Sequence, residues 1–194
     1  MRDALLFVGI GAIVIFVGGY YASQYTRSSQ EASDTIGIMS ALTLRSPVFE
    51  NGGSLPARFT CDGESMSPPL SWSGVPLGTK SLALIVEDPD VPKQLKPDGV
   101  FDHWTLFNIP PETTEIATGG TAGVRGASGT GKNQYVGPCP PKEYEPSEHR
   151  YFFRMYALDT MLDLAEGASK ADVLAAMEGH VLAEVELIGK YKRQ

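Results

Sequence analysis

Apolar and polar positions divide the chain into three stretches. Ala4–Tyr21, A-L-L-F-V-G-I-G-A-I-V-I-F-V-G-G-Y-Y, carries no charged residue. As a helix its 18 residues reach about 27 Å, close to the thickness of a bilayer's hydrocarbon core. Tyr20 and Tyr21 stand at one end, where amphipathic rings favour the membrane interface. A buried core helix would show a polar face, and this run has none. A cleaved signal peptide would show small residues before the cut. No A-x-A follows, and no cysteine stands there to take a lipid. The stretch therefore predicts an uncleaved transmembrane anchor over residues 1–21. The acidic Glu31 and Asp34 beyond it favour an N-inside orientation, with the rest of the chain extracytoplasmic. Residues 22–39 read as a polar, Ser-rich linker.

From residue 40 to 194 the pattern changes to short strands. Leu82-Ala83-Leu84-Ile85-Val86 is a continuous apolar run, as expected of a strand covered on both faces. His103–Ile109 and Tyr151–Leu158 are aromatic and β-prone. Pro- and Gly-rich stretches separate these runs: Ser67-Pro68-Pro69, Pro110-Pro111 and Gly137-Pro138-Cys139-Pro140-Pro141. One soluble helix is predicted late in the chain. Ser169 serves as N-cap, Asp172 stands three residues on, and Gly179 marks the stop. Val173, Leu174 and Met177 form its apolar stripe. Val181, Ala183, Val185 and Leu187 then alternate with Glu184 and Glu186, the pattern of a half-buried strand. These elements predict a mainly β domain, a sandwich or sheet-rich fold with a C-terminal helix.

Composition narrows the functions. A formal net charge of −7 without a Lys/Arg cluster repels phosphate backbones, so nucleic acid is not an expected partner. Cys61 and Cys139 are the only cysteines, and without a C-x-x-C pair the usual structural zinc site is excluded. Whether these two bridge is left open by the sequence. Outside the cytoplasm a pair within reach would oxidise. A homodimer is likewise left open.

Several motifs have a functional and a blander reading. Gly126–Lys132, G-A-S-G-T-G-K, matches seven positions of a phosphate-binding P-loop. Asn133 follows where Ser or Thr is needed, and Gln134-Tyr135-Val136-Gly137-Pro138 cannot start a helix, so this is a loop. His180 follows Gly179 and reads as a structural helix-end residue. His103 and His149 each open an aromatic strand beside polar loops and together suggest a site. Asp88-Pro89-Asp90-Val91-Pro92 closes the Leu82–Val86 strand, its prolines stiffening the backbone that carries both carboxylates. No H-x-H or H-E-x-x-H accompanies these acids, and no G-x-S-x-G elbow exists. Neither a metal, a cofactor nor a catalytic residue is expected, and the domain reads as non-enzymatic.

Taken in order, Ser67-Pro68-Pro69-Leu70-Ser71-Trp72, Asp88-Pro89-Asp90-Val91-Pro92, His103-Trp104 leading to Asn108-Ile109, Gly137-Pro138-Cys139-Pro140-Pro141 and His149-Arg150-Tyr151 resemble the phosphatidylethanolamine-binding protein family. The likeness is to its prokaryotic Raf-kinase-inhibitor-like branch, of YbhB/YbcL type. It spans roughly Leu42–Tyr191. The resemblance implies a large antiparallel sheet packed on a smaller one, with a small anion pocket at one end. By motif position Asp88, Asp90 and His103 would line that pocket. Gly137, Cys139 and Pro141 of the loop, with His149 and Tyr151, would close it. Imidazole N–H, phenol O–H and backbone N–H groups suit a phosphate or a phospholipid head group. The alternative that the resemblance implies is a protein-interaction module inhibiting a protease or a kinase. Glu143, Glu145 and Glu148, just ahead of His149, oppose an anionic ligand at long range.

Overall fold

The five apolar residues Leu82–Val86 lie in the centre of a sheet that is buried on both faces. The computed structural model describes residues 41–194. In chain order the strands are β1 (Thr43–Arg45), β2 (Gly53–Ser54), β3 (Leu70–Ser73), β4 (Ser81–Asp88), β5 (Phe101–Ile109), β6 (Glu115–Ile116), β7 (Val124–Arg125), β8 (Glu148–Leu158) and β9 (Val181–Lys192). The helix α1 (Lys170–Met177) lies between the last two strands, and a short 3-10 turn covers Ala57–Phe59.

A six-stranded sheet runs in the order β2-β9-β8-β4-β5-β7, and a three-stranded sheet in the order β1-β3-β6. One face of the large sheet packs with the small sheet around Leu82, Leu84, Val86, Trp104, Leu106, Phe153 and Met155, joined by Leu44, Leu70, Trp72 and Ile116. The opposite face buries Ala83, Ile85 and Phe107 with Leu162, Val173 and Met177 from the α1 side. Two cores explain why β4 lacks the alternation of a half-exposed strand. The mainly β expectation of a larger sheet on a smaller one holds, with one amendment. The edge strand β2 pairs parallel to β9, while every other pair in the large sheet is antiparallel.

The α1 helix begins as its sequence predicts. Ser169 caps it, with Ser169 and Asp172 forming a reciprocal capping box. Gly179, at φ +78°, supplies the left-handed residue after its end. The stripe is narrower than expected. Val173 and Met177, four apart, face the sheet, whereas Leu174 is 40% exposed, because a two-turn helix packed through one row turns its neighbour outward. Strands β5 and β8 start two and three residues earlier than their aromatic runs suggest, so His103 and His149 lie inside strands rather than opening them. Gly126–Lys132 is a turn, closed by Ser128 N–H to the Lys132 carbonyl at 2.9 Å. His180 donates from Nδ1 to Asp159 at 2.8 Å, on an exposed corner. Among the described residues no helix is long and apolar enough to cross a membrane. The expected anchor, Ala4–Tyr21, and the linker over 22–39 lie outside the described residues.

Candidate functional site

Antiparallel pairing gathers three strand ends at one rim of the large sheet. Strand β4 ends there at Asp88, while β5 and β8 begin there. The register of β4 with β5 passes from Val86↔Trp104 to Glu87↔Asp102, leaving His103 as the extra residue of a β-bulge. The bulge sorts the side chains. Glu87 and Asp102 point to the α1 side, where Lys170 bridges them at 2.7 and 2.5 Å. Arg154 also pairs with Glu87. Burial raises the Glu87 pKa, but its bonds from Lys170 and Arg154 outweigh this and leave it below the ordinary value. His103, on the other side, packs against the Phe101 ring at 4.8 Å and edge-on to the Tyr151 ring at 5.2 Å.

A cavity of about 250 Å³ opens here, lined by Asp88, Val91, Leu95, Phe101, His103, Val136, Gly137, Cys139, Pro140, Pro141 and His149. Its polar groups are few and held in place. Asp88 Oδ1 accepts from the Asp90 N–H at 2.8 Å, and Oδ2 accepts from His149 Nδ1 at 2.7 Å. His103 Nδ1 donates to the Val136 carbonyl at 2.6 Å. A carbonyl can only accept, so this contact fixes the hydrogen on Nδ1 and leaves Nε2 for a ligand. His149 is likewise held through Nδ1, and its buried Nε2 has no partner. Burial lowers the His103 pKa from its ordinary value, against the opposing pull of the Val136 carbonyl and Asp88.

The roof of the cavity is a segment without regular secondary structure, fastened to the Thr60–Ser65 loop. Cys139 is bridged to Cys61, their Cα atoms 5.3 Å apart, so the pairing left open by the sequence is a disulfide. The Cys61 N–H donates to the Pro138 carbonyl at 3.0 Å, and the Gly137 N–H to Ser65 Oγ at 3.0 Å. At Gly137 a Cβ would lie 2.5 Å from Ser65 Oγ and 3.0 Å from the Thr60 backbone, so a residue without a side chain is required.

The structure brings together Asp88, His103, Gly137, Cys139, Pro141 and His149 in the cavity wall. Asp90 is placed elsewhere, taken by Arg150, which reaches it with its backbone N–H at 2.9 Å and its guanidinium at 2.8 and 2.6 Å. The Arg150 hydrogen bonds hold the Asp90 carboxyl below its ordinary pKa. Tyr151 sits behind the wall. It is fully buried, its hydroxyl has no partner, and burial raises its pKa. Val91, Leu95, Phe101, Val136 and Pro140 are apolar wall residues that the motifs did not single out. Val91 lies within Asp88–Pro92, and Phe101 stands two residues before His103, so both were near a signal. Val136 acts through its carbonyl, which no side-chain pattern reports. Among the described residues, the lining contains no Lys or Arg, and no cluster of His, Cys, Asp and Glu could hold a metal ion.

Comparison with known proteins agrees with this architecture. The sequence model of the phosphatidylethanolamine-binding protein family matches residues 45–192. A UPF0098 protein of Methanothermobacter thermautotrophicus is 52% identical over 159 residues, covering 78% of this chain and 99% of that one. The crystal structure of a phosphatidylethanolamine-binding protein homologue from Chlamydia trachomatis is 42% identical, with a TM-score of 0.75 over 79% of this chain and 99% of its own. Escherichia coli YbcL, described as a new member of the mammalian PEBP family, is 30% identical, with a TM-score of 0.70 over 80% of this chain and all of its own (100%).

Proposed function

The chain belongs to the phosphatidylethanolamine-binding protein family, and on that premise we propose that its cavity binds a small anion, a phosphate or a phosphorylated head group, without turning it over. The observation that carries this reading is the pair of imidazoles in one wall of a largely apolar cavity. Each is held at Nδ1 by a protein acceptor, and neither spends Nε2 on a protein partner. A small number of oriented polar groups in an apolar cleft is the usual construction of a binding pocket.

Two features support binding over catalysis. Among the described residues, the lining offers no hydroxyl side chain, and the Cys139 sulfur is committed to the bridge with Cys61. A covalent mechanism through Ser, Thr, Tyr or Cys would need such a nucleophile beside a base. If Ala4–Tyr21 crosses a membrane, the polar linker over 22–39 would tether the domain to it. Calorimetric titration with phosphate tests the binding role. The expected result is saturable binding that weakens about ten- to a hundred-fold in His103→Ala, the loss of a hydrogen bond to a charged group. Turnover of a generic phosphate ester that disappears in the same variant would replace this reading with an enzymatic one.

A further inference from the structure

A second cavity, of about 310 Å³, adjoins the first and has no part in the anion site. Trp104 and Tyr135 line it, their rings edge-on at 5.6 Å. Each is the chain neighbour of a residue in the first cavity, Trp104 of His103 and Tyr135 of Val136. Small-molecule sites occupy about 300–1,000 Å³, so the space is sufficient. The lining is polar where the first cavity is apolar. Ser67 and Tyr135 spend their hydroxyls on the Gly120 and Phe59 carbonyls. Thr121, Asn133 and Gln134 add a hydroxyl and two amides, each able to donate and to accept.

Charge adds a second requirement. Among the described residues, Arg125 is the one charged member of this lining, in a chain with a formal net charge of −7. Its guanidinium meets Glu166 through Nη2 at 2.7 Å, with both side chains 49% exposed. An ion pair that exposed is weakly held and gives way to a competing carboxylate.

Ser65 joins the two cavities. It lies in the wall of the second at φ +54°, in the left-handed region that residues other than glycine seldom occupy. Its Oγ accepts from the Gly137 N–H at 3.0 Å, and Gly137 lines the first cavity. The same hydroxyl carries a hydrogen that it can donate to a ligand. A ligand that takes this hydrogen polarises the oxygen and strengthens its bond from Gly137.

We propose that the second cavity binds a small hydroxylated carboxylate, and that its occupancy steadies the roof of the first cavity through Ser65. The ligand's carboxylate pairs with Arg125 in place of Glu166. Its hydroxyl groups bond with Thr121, Asn133 and Gln134, and one of them accepts from Ser65. The site itself stands apart from the anion-pocket reading, whereas its effect on phosphate affinity rests on that reading.

The test is calorimetric titration of the full chain with sodium D-glucuronate and with D-glucose, its neutral counterpart. Glucuronate is expected to saturate one site and to bind at least about tenfold tighter than glucose. Arg125→Gln should weaken glucuronate about ten- to a hundred-fold, the loss of hydrogen bonds to a charged group. Glu166→Gln removes the competing carboxylate and should tighten it. Saturating glucuronate should shift the imidazole nitrogen resonances of His103 and tighten phosphate binding by about fivefold or more. Ser65→Ala should abolish both effects with glucuronate still bound. No saturable glucuronate binding, or binding unaltered in Arg125→Gln and Glu166→Gln, would overturn the site. Glucuronate binding without a shift at His103 would overturn the link between the cavities. A His103 shift on glucuronate binding, with no phosphate binding in its presence or absence, would uphold the second site and its link and remove the anion pocket instead.

Discussion

His149 Nδ1 donates to Asp88 Oδ2 at 2.7 Å, with the two side chains 1% and 5% exposed. One residue on from His149 and two on from Asp88, Arg150 and Asp90 form a second pair whose arginine is half exposed, with a side-chain exposure of 52%. The two pairs have different surroundings, so their removal should cost different amounts. Breaking a buried pair from one side leaves a polar group without its partner, at about 3–5 kcal/mol. An exposed pair is screened by water and worth about 0–1 kcal/mol. Urea denaturation of Asp88→Ala and Arg150→Ala is expected to show this contrast. Equal losses would mean that the Asp88 site is far more hydrated than its burial indicates.

Stability should fall with acid in two separable windows. For His103, burial places the folded pKa below the ordinary 6.5. The unfolded chain then binds the proton first, so stability is full above that value and declines as pH drops below 6.5. For Asp90 and Glu87 the folded pKa values lie below the ordinary 3.8 and 4.5, so their contributions persist above those values and are lost only as pH falls through the folded ones. Melting temperatures measured across pH should decline from just below 6.5, and His103→Gln should flatten that first decline alone. An unchanged first slope in the variant would assign it to another group.

The roof depends on its fastening. The Cys61–Cys139 bridge closes a loop across a sequence separation of 78, and on the chain-entropy model such a closure stabilises by at most about 4.5 kcal/mol. Thiol counting on the unfolded, unreduced protein should find no free thiol on Cys61 or Cys139. Cys61→Ser with Cys139→Ser should lower the urea midpoint and weaken phosphate binding together, since Cys139 lines the cavity. Lower stability with unaltered binding would show that the remaining hydrogen bonds hold the roof alone.

Much of this arrangement was legible in the sequence because it rests on local chemistry. The apolar run Leu82–Val86 ending in Asp88-Pro89-Asp90 marks a buried strand with a stiffened exit. His103 and His149 stand beside aromatic strand patterns, and Ser169, Asp172 and Gly179 delimit a helix. What escaped depends on pairing between distant segments. The bulge that turns His103 toward the cavity exists only in the register of β4 with β5. Asp90 was expected in the pocket, and only the closure of β8 onto β4 brings Arg150, 60 residues away, onto its carboxylate. The Cys61–Cys139 pairing and the Val136 carbonyl are likewise products of tertiary closure.

The membrane anchor expected from Ala4–Tyr21 is open to a direct experiment. Cell fractionation should place the full chain in the membrane pellet, released by detergent and not by high salt or alkali. Recovery of a soluble form starting near Ser23 would show cleavage instead.

The central claim is that His103 and His149 serve one ligand, and imidazole nitrogen resonances report on each ring separately. Titrating sodium phosphate into ¹⁵N-histidine-labelled protein should shift Nε2 of His103 and of His149 with a single shared saturation curve. His180, held by Asp159 on an exposed corner, should stay unmoved. Shifts at His103 and His149 no larger than those at His180, or two independent curves, would contradict the account.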